Sequence, residues 1–209
     1  MLAQAPGSVV VTVFAGIPAH GSAAPPWDRR AGFRTADEAV RTRRDEDRRA
    51  LARLDARPVW LDFLDDQYGT PAASTAIAAR LADTIDAHPG CGVLAPAGLF
   101  HRDHLQVQQA ALALLRDNDR AGGTSRVWRF YEDVPYRRID GLMVRRVIAW
   151  RERGWIGHPV GTPAGDRRDG TDRMDGANDA DGSVAKAEAV DRVSEPDCAV
   201  RASYARRSP

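Results

Sequence analysis

The feature that most constrains the fold is an uninterrupted apolar run, VVVTVF, at residues 9–14. Gly7 precedes the run, and Gly16 and Pro18 follow it. A strand that is covered on both faces is a continuous β-branched run, whereas a strand with one solvated face alternates apolar and polar residues. The run therefore predicts a buried strand of a mostly parallel sheet near the start of the chain.

Amphipathic helices alternate with further apolar runs along the sequence. Thr35 can cap a helix because Glu38 follows it three residues later. A later helix has Ile77, Leu81 and Ile85 at i, i+4 and i+8, which places them on one face. The remaining predicted elements are strands at 59–64, 91–96 and 126–134 and helices at 36–54, 73–87, 104–116 and 138–153.

Strands that alternate with helices form right-handed βαβ units, and such units build a parallel sheet. We therefore predict an α/β fold over residues 1–160, with a Rossmann-like, mostly parallel sheet and helices on both of its faces. Residues 161–209 contain no Leu, Ile, Phe or Trp. We expect 161–182 to be disordered, because this polar segment cannot bury enough apolar surface to offset its ordering entropy. We expect 183–209 to be a weakly structured tail.

Charge and cysteine content exclude several classes of protein. Thirty basic and 29 acidic side chains nearly cancel, so no overall field favours nucleic acid or an anionic membrane. No run approaches the roughly 18 to 20 apolar residues of a membrane span. Cys91 and Cys198 lie far apart in sequence, which indicates neither a disulfide framework nor a thiolate zinc site. Because the first residues also lack the basic start of a signal peptide, we expect a cytoplasmic protein.

Two histidines and an aspartate come directly after the third predicted strand, in LFHRDHLQV at 99–107. His101, Asp103 and His104 would therefore lie at a carboxyl end of the sheet, where ligands bind in open parallel sheets. Neutral imidazole is the commonest zinc ligand, and zinc lowers the pKa of bound water from about 15.7 toward about 7. The alternative is that the two histidines only cap the following helix. Spacing alone leaves both interpretations open.

Four stretches resemble, in order, the PIG-L (LmbE-like) family of zinc-dependent deacetylases, which remove acetyl from N-acetylglucosamine-type amides. GLFHRDHLQV at 98–107 is similar to the family's His-x-Asp-His segment, and VVVTVFAG at 9–16 to its second strand. RRDEDRRALARL at 43–54 resembles its Arg-x-x-Glu helix, and YEDVPY at 131–136 a late-strand motif of bacterial members. The resemblance covers roughly residues 5–155.

The resemblance implies a role for each matching residue. His104 would bind Zn²⁺. His101 would stand near the substrate carbonyl, to stabilise the oxyanion or protonate the leaving amine, and Asp103 would orient the site. Arg43 would contact the sugar through its forked donors, with a solvated helix face as the alternative. Two residues of the late-strand motif could line the substrate pocket, with simple packing as the alternative: Asp133 and Tyr136.

One segment of the family pattern has no match in this sequence. The family's first strand ends in His-Pro-Asp-Asp, which supplies two zinc ligands and the general base. The His-Pro pairs here begin at His88 and His158, and neither is followed by two carboxylates. We therefore expect Zn²⁺ binding to be weak or absent. Because residues 1–16 resemble the end of the next helix and the second strand, we expect the chain to be N-terminally incomplete, with the missing segment upstream of Met1.

Three hypotheses about function follow from the sequence. The leading hypothesis is a zinc-dependent deacetylase of an N-acetylglucosamine-type sugar or sugar conjugate, inactive as this chain. Its partner would be that small molecule, and the oligomeric state is left open. The first alternative is a catalytically dead family member that serves as a binding or scaffold subunit. The second is an unrelated Rossmann-like domain whose histidines bind phosphate or nothing.

Overall fold

The computed structural model describes residues 2, 5–120, 126–134 and 136–158, and the backbone of 199–203. The elements are β1 (Val9–Thr12), α1 (Pro26–Arg30), α2 (Ala36–Ala52), β2 (Arg57–Trp60), α3 (Ser74–Asp86), β3 (Gly92–Pro96), α4 (Arg102–Arg120), β4 (Trp128–Tyr131), α5 (Leu142–Glu152) and β5 (Ala199–Ser203). Helices connect the successive strands, with two helices between β1 and β2.

The strands form one sheet in the order β2-β1-β5-β3-β4, and each neighbouring pair is parallel. Val9 lies opposite Arg57 where β1 pairs with β2, and Val93 lies opposite Trp128 where β3 pairs with β4. Parallel neighbours joined by helices are typical of an α/β fold. The prediction of an α/β chain with parallel strand pairs is therefore confirmed.

The strand β5 lies between β1 and β3 and pairs with both. Val200 lies opposite Val9 on one side and opposite Val93 on the other. This strand falls within 183–209, for which the sequence predicts a weakly structured tail. The segment 161–182, predicted to be disordered, lies outside the described residues. The division of the chain into domains stays a prediction.

Cys91, directly before β3, is disulfide-bonded. The spacing of the cysteines in the sequence did not indicate this bond. The other cysteine of the sequence is Cys198, the residue before β5. The strands β3 and β5 are paired, with Gly92 opposite Ala199. They are therefore neighbours in the sheet although they lie far apart in the sequence.

Two local patterns specify the helices as predicted. The side chain of Thr35 accepts a hydrogen bond from the backbone N–H of Glu38, with 3.4 Å between the atoms, and α2 begins at the next residue after this cap. The apolar face of α3 is buried through Ile77, Leu81 and Ile85. These side chains pack on β1 in the main core, where each fully buried Ile or Leu stabilises the fold by roughly 1.5–3 kcal/mol.

The second strand is displaced from its predicted position, 59–64, to Arg57–Trp60. The reason is a close approach of two loops just after β1 and β2. A Cβ atom on Gly16 would lie 2.5 Å from the carbonyl oxygen of Asp62, and the Gly16 N–H donates to the Phe63 carbonyl at 2.9 Å. Glycine permits this approach, and the pairing of β2 with β1 ends before it.

The fifth helix begins later than its predicted start at residue 138. Gly141 has φ +77°, a left-handed conformation, and α5 begins at Leu142. A second core cluster packs α5 against the turn between β3 and α4 through Ala97, Leu99 and Trp150. Among the described residues, no helix has both the length and the apolar character that crossing a membrane requires.

Candidate functional site

The turn between β3 and α4 carries the two histidines at the carboxyl edge of the sheet. Gly98 has φ +65° in this turn, and a Cβ atom there would lie 2.9 Å from the Cβ atom of Gln108 on α4. Glycine is needed both for this conformation and for the close packing of α4 on the strand end. The helix therefore begins at Arg102, with His101 just before it and His104 in its first turn.

His101 contacts the start of its own helix. Its Nδ1 accepts a hydrogen bond from the backbone N–H of Asp103 at 3.2 Å. The nearer carboxylate oxygen of Asp103 lies 3.7 Å from the same nitrogen, beyond hydrogen-bond distance. The Asp103 side chain is buried, and the rings of His101 and His104 lie 5.7 Å apart between centroids. The structure thus brings together the three residues predicted from the His-x-Asp-His segment.

His104 contacts a carboxylate from the neighbouring strand end. Its Nδ1 lies 3.0 Å from Oδ1 of Asp133, a residue with no exposed surface. The other carboxylate oxygen of Asp133 accepts the backbone N–H of Leu99 at 2.5 Å. Asp133, predicted to line the substrate pocket, is thus engaged with the histidine turn, and its contact with substrate stays a prediction.

Tyr136 packs beside the same histidine. Its ring centroid lies 6.0 Å from that of His104, edge to face, and 5.1 Å from that of Phe100. Phe100 is two-thirds exposed next to His101 in the sequence. This aromatic pair borders the histidines, and a substrate contact for Tyr136 stays a prediction.

Two carboxylates that the sequence analysis missed join the site. Oxygen atoms of Asp65, Asp66 and Asp103 lie within 4.8 Å of one another. Asp65 is buried and Asp66 is exposed. The sequence contains a pattern that indicates them. Asp65 and Asp66 come directly after the predicted second strand, so they belong to the same carboxyl edge of the sheet as the histidines.

The described residues do not by themselves fit a zinc ion. Zinc sites in proteins draw on imidazole and thiolate ligands in addition to carboxylates, whereas all-oxygen ligand sets suit magnesium, calcium or manganese. In the described part of the chain, the group of three or more potential ligands is the trio Asp65, Asp66 and Asp103. It contains no imidazole, and His104 lies outside it. The described residues thus supply an imidazole and a carboxylate group separately.

A cleft beside this edge holds Arg43. The cleft is walled by Phe14, Trp27 and Trp60 and includes Arg43 and Asp65. Asp65 also belongs to the carboxylate trio, so one residue that lines the cleft has an oxygen within 4.8 Å of an oxygen of Asp103. Arg43 side-chain surface is about one-quarter exposed, at 24%, which is less than a fully solvated helix face would give.

Arg43 is held in a network with a buried carboxylate. Its guanidinium donates to the Tyr68 hydroxyl at 2.7 Å and to Asp28, and Tyr68 donates to Asp28 at 2.6 Å. Burial opposes the charge on Arg43, but the bonds to Asp28 and Tyr68 outweigh it and raise the Arg43 pKa. Burial and the bond to Asp28 raise the pKa of Tyr68. The network therefore keeps a charged guanidinium and a neutral phenol beside the cleft.

No protein-family model and no curated protein matches the sequence, but solved structures of deacetylases are similar to the chain. A triple mutant (Orf2*T) of a deacetylase of the teicoplanin biosynthetic pathway is 31% identical, with TM-score 0.53, over 65% of this chain and 57% of that one. The zinc-inhibited form of teicoplanin deacetylase Orf2 is 26% identical, with TM-score 0.53, over 65% and 61%.

The A40926 pseudoaglycone deacetylase Dbv21 is 29% identical to the chain, with TM-score 0.54, over 65% of this chain and 57% of that one. The chain thus spans less than two thirds of the length of each of these proteins. The similarity supports a deacetylase-like α/β fold for the aligned part of the chain.

Proposed function

We propose that this protein is a deacetylase of the PIG-L (LmbE-like) family that removes acetyl from an N-acetylglucosamine-type sugar or sugar conjugate. We propose further that these 209 residues alone have little or no activity. The observation that carries the proposal is the cluster of His101, Asp103 and His104 at the carboxyl edge of a parallel sheet, in a chain similar to solved deacetylases. A cytoplasmic location stays an expectation.

The reaction adds water to the acetamide carbonyl and yields acetate and a free amine. Negative charge develops on the carbonyl oxygen, and the leaving nitrogen needs a proton. Nδ1 of His101 already accepts the Asp103 N–H, so the ring of neutral His101 carries its proton on Nε2. That N–H would donate a hydrogen bond to the developing oxyanion, while the proton that the leaving nitrogen needs comes from the attacking water.

The sugar would bind in the cleft beside the histidine turn. Arg43 keeps its charge there because Asp28 and Tyr68 support it, and a guanidinium offers several donors in a fixed fork. Asp65, which belongs to both the cleft and the carboxylate trio, could accept from a sugar hydroxyl. The acetamide would then lie toward His101.

The proposed family implies Zn²⁺, and we propose that this chain binds it weakly. The described residues place His104 outside the carboxylate trio, and the sequence contains no His-Pro-Asp-Asp segment. Structural zinc sites with a full ligand set bind with roughly 10–16 kcal/mol, and a single strong ligand retains only a fraction of that energy. No step of the chemistry above is assigned to zinc.

A second candidate function is a catalytically inactive family member that binds the same sugar conjugate as a binding or scaffold subunit. The observation that favours it is the separation of His104 from the carboxylate trio among the described residues. A binding role needs the cleft and the histidine turn, whereas turnover also needs a general base and an activated water.

The experiment combines binding and turnover on the 209-residue chain. A methyl glycoside of N-acetylglucosamine is titrated into the protein by calorimetry, and acetate release is followed by NMR with zinc added or chelated. Arg43→Ala and His101→Ala test the proposed contacts. Arg49→Ala is the matched control, because Arg49 is exposed on the same helix as Arg43.

We expect saturable binding that Arg43→Ala weakens and Arg49→Ala leaves unchanged. Acetate release that His101→Ala abolishes would favour the deacetylase. Binding with no acetate release is expected of these 209 residues under both candidates. Acetate release that is gained when a His-Pro-Asp-Asp segment is added at the N-terminus would favour the deacetylase, and its continued absence would favour the inactive binding subunit. Absence of binding would contradict both candidates and would favour an unrelated domain.

A further inference from the structure

At ring atom Nδ1, one histidine of the turn lies next to a hydrogen-bond donor and the other lies next to an acceptor. Nδ1 of His101 lies 3.2 Å from the backbone N–H of Asp103, which is a donor. Nδ1 of His104 lies 3.0 Å from a carboxylate oxygen of Asp133, which is an acceptor. A neutral imidazole carries one N–H and one lone pair, and its partner at one nitrogen decides which nitrogen has the proton.

We propose that Asp133 is a positioning residue that holds His104 in the Nδ1–H tautomer, opposite to the Nε2–H tautomer of His101. The two adjacent rings then present different atoms at Nε2: a lone pair on His104 and an N–H on His101. The tautomers are properties of the folded chain, and their use in deacetylation rests on the proposed function. One ring would accept or ligate while the other donates.

Asp133 is suited to this role because burial, a hydrogen bond to its side chain and hydrogen bonds to its backbone carbonyl together fix its position. Its side chain is fully buried, and Oδ2 accepts the Leu99 N–H at 2.5 Å. Its backbone carbonyl accepts the N–H groups of Tyr136 and Arg137, at 2.8 and 3.1 Å. A carboxylate is buried at a high desolvation cost, which hydrogen bonds must offset. Oδ1, the other carboxylate oxygen, lies 3.0 Å from Nδ1 of His104.

The substitution Asp133→Asn makes a specific prediction, because an amide has one acceptor oxygen where a carboxylate has two. The buried Leu99 N–H needs that oxygen, since a buried donor left without a partner is destabilising. The amide NH₂ would then face Nδ1 of His104 and donate to it. His104 would switch to the Nε2–H tautomer, as happens when asparagine replaces the triad aspartate of serine proteases.

The test is ¹⁵N NMR of the histidine rings in the full chain, without substrate or added metal. Spectra are recorded at about pH 8, above the ordinary histidine pKa of about 6.5. His101→Gln and His104→Gln assign the signals. Glu132→Gln is the matched control, since Glu132 is the exposed carboxylate next to Asp133 in sequence, and His101 serves as the internal reference in Asp133→Asn.

In the unmodified chain we expect a pyrrole-type Nδ1 and a pyridine-type Nε2 for His104, and the reverse for His101. Asp133→Asn should exchange the two signal types of His104 alone, and Glu132→Gln should change neither ring. An Nε2–H tautomer of His104 in the unmodified chain would overturn the proposal. This result needs a folded His104→Gln chain for the assignment but does not depend on the folding of Asp133→Asn. A folded Asp133→Asn chain with an unchanged His104 tautomer would also overturn it.

The tautomer test and the test of the proposed function can fail independently of each other. The tautomers are measured with no sugar present, so failure of the sugar to bind leaves the tautomer result intact. Conversely, a wrong tautomer for His104 would leave sugar binding in the cleft untouched, because Arg43 and its partners belong to a different network.

Discussion

Replacing Tyr68 with phenylalanine should lower the free energy of unfolding, because it removes the hydroxyl at the centre of the Asp28–Arg43–Tyr68 network. That hydroxyl donates to Asp28 at 2.6 Å and accepts from Arg43 at 2.7 Å. Asp28 is fully buried and retains its contact with Arg43. A hydrogen bond to a charged group contributes about 1.5–3 kcal/mol, so we expect Tyr68→Phe to destabilise the fold by that amount.

Urea unfolding followed by tryptophan fluorescence measures the effect. The midpoint should fall with an unchanged slope, since the surface exposed on unfolding is the same. The melting temperature should fall by roughly 3–12 °C, at about 2–4 °C per kcal/mol for a chain of this size. Tyr136→Phe is the control, because the Tyr136 ring packs on Phe100 and His104. A Tyr68→Phe midpoint equal to that of the control would refute the reasoning.

Three further predictions concern pH and backbone conformation. Burial raises the pKa of Tyr68, so stability should be full below about pH 10 and decline above it; urea midpoints should show a smaller alkaline decline in Tyr68→Phe. Hydrogen bonds from Thr35 and His20 lower the pKa of Asp37 to about 2. Stability should therefore be full above about pH 4 and decline as pH falls toward 2, and Asp37→Asn should flatten this acid decline in the same assay. Gly98→Ala should cost about 1–3 kcal/mol by urea unfolding, because φ is +65° and the new Cβ would contact α4; an unchanged midpoint would contradict this.

The helices and the parallel pairing could be predicted from the sequence because their signals are local. A capping residue with its partner three positions later, as at Thr35, and a repeat such as Ile77, Leu81 and Ile85 each specify a structure within a few residues. The short helix α1 could not be predicted, because Pro25 and Pro26 lie in a Gly/Pro-rich stretch that is typical of a loop. The end of β2 depends on the Gly16 contact, which joins distant residues.

The candidate site was only partly predictable for the same physical reason. The motif at 101–104 is contiguous, so its residues could be recognised and placed together. The partner of His104 is Asp133, 29 positions away. The partners of Arg43 are Asp28 on α1 and Tyr68 in the loop after β2. No local pattern carries such contacts. They arise from the order of strands in the sheet and from the loops at its carboxyl edge.

The central claim is that the histidine turn recognises the acetamide of an amino sugar, and ¹⁵N ring signals during a sugar titration test it most directly. Methyl glycosides of N-acetylglucosamine and of glucosamine are compared on the same labelled chain. We expect saturable shifts of the His101 and His104 signals with the acetylated sugar, and much smaller shifts with the free amine. His20, which is exposed on another loop, should shift with neither. Equal responses to both sugars, or shifts at His20 with none at His101 and His104, would contradict the account.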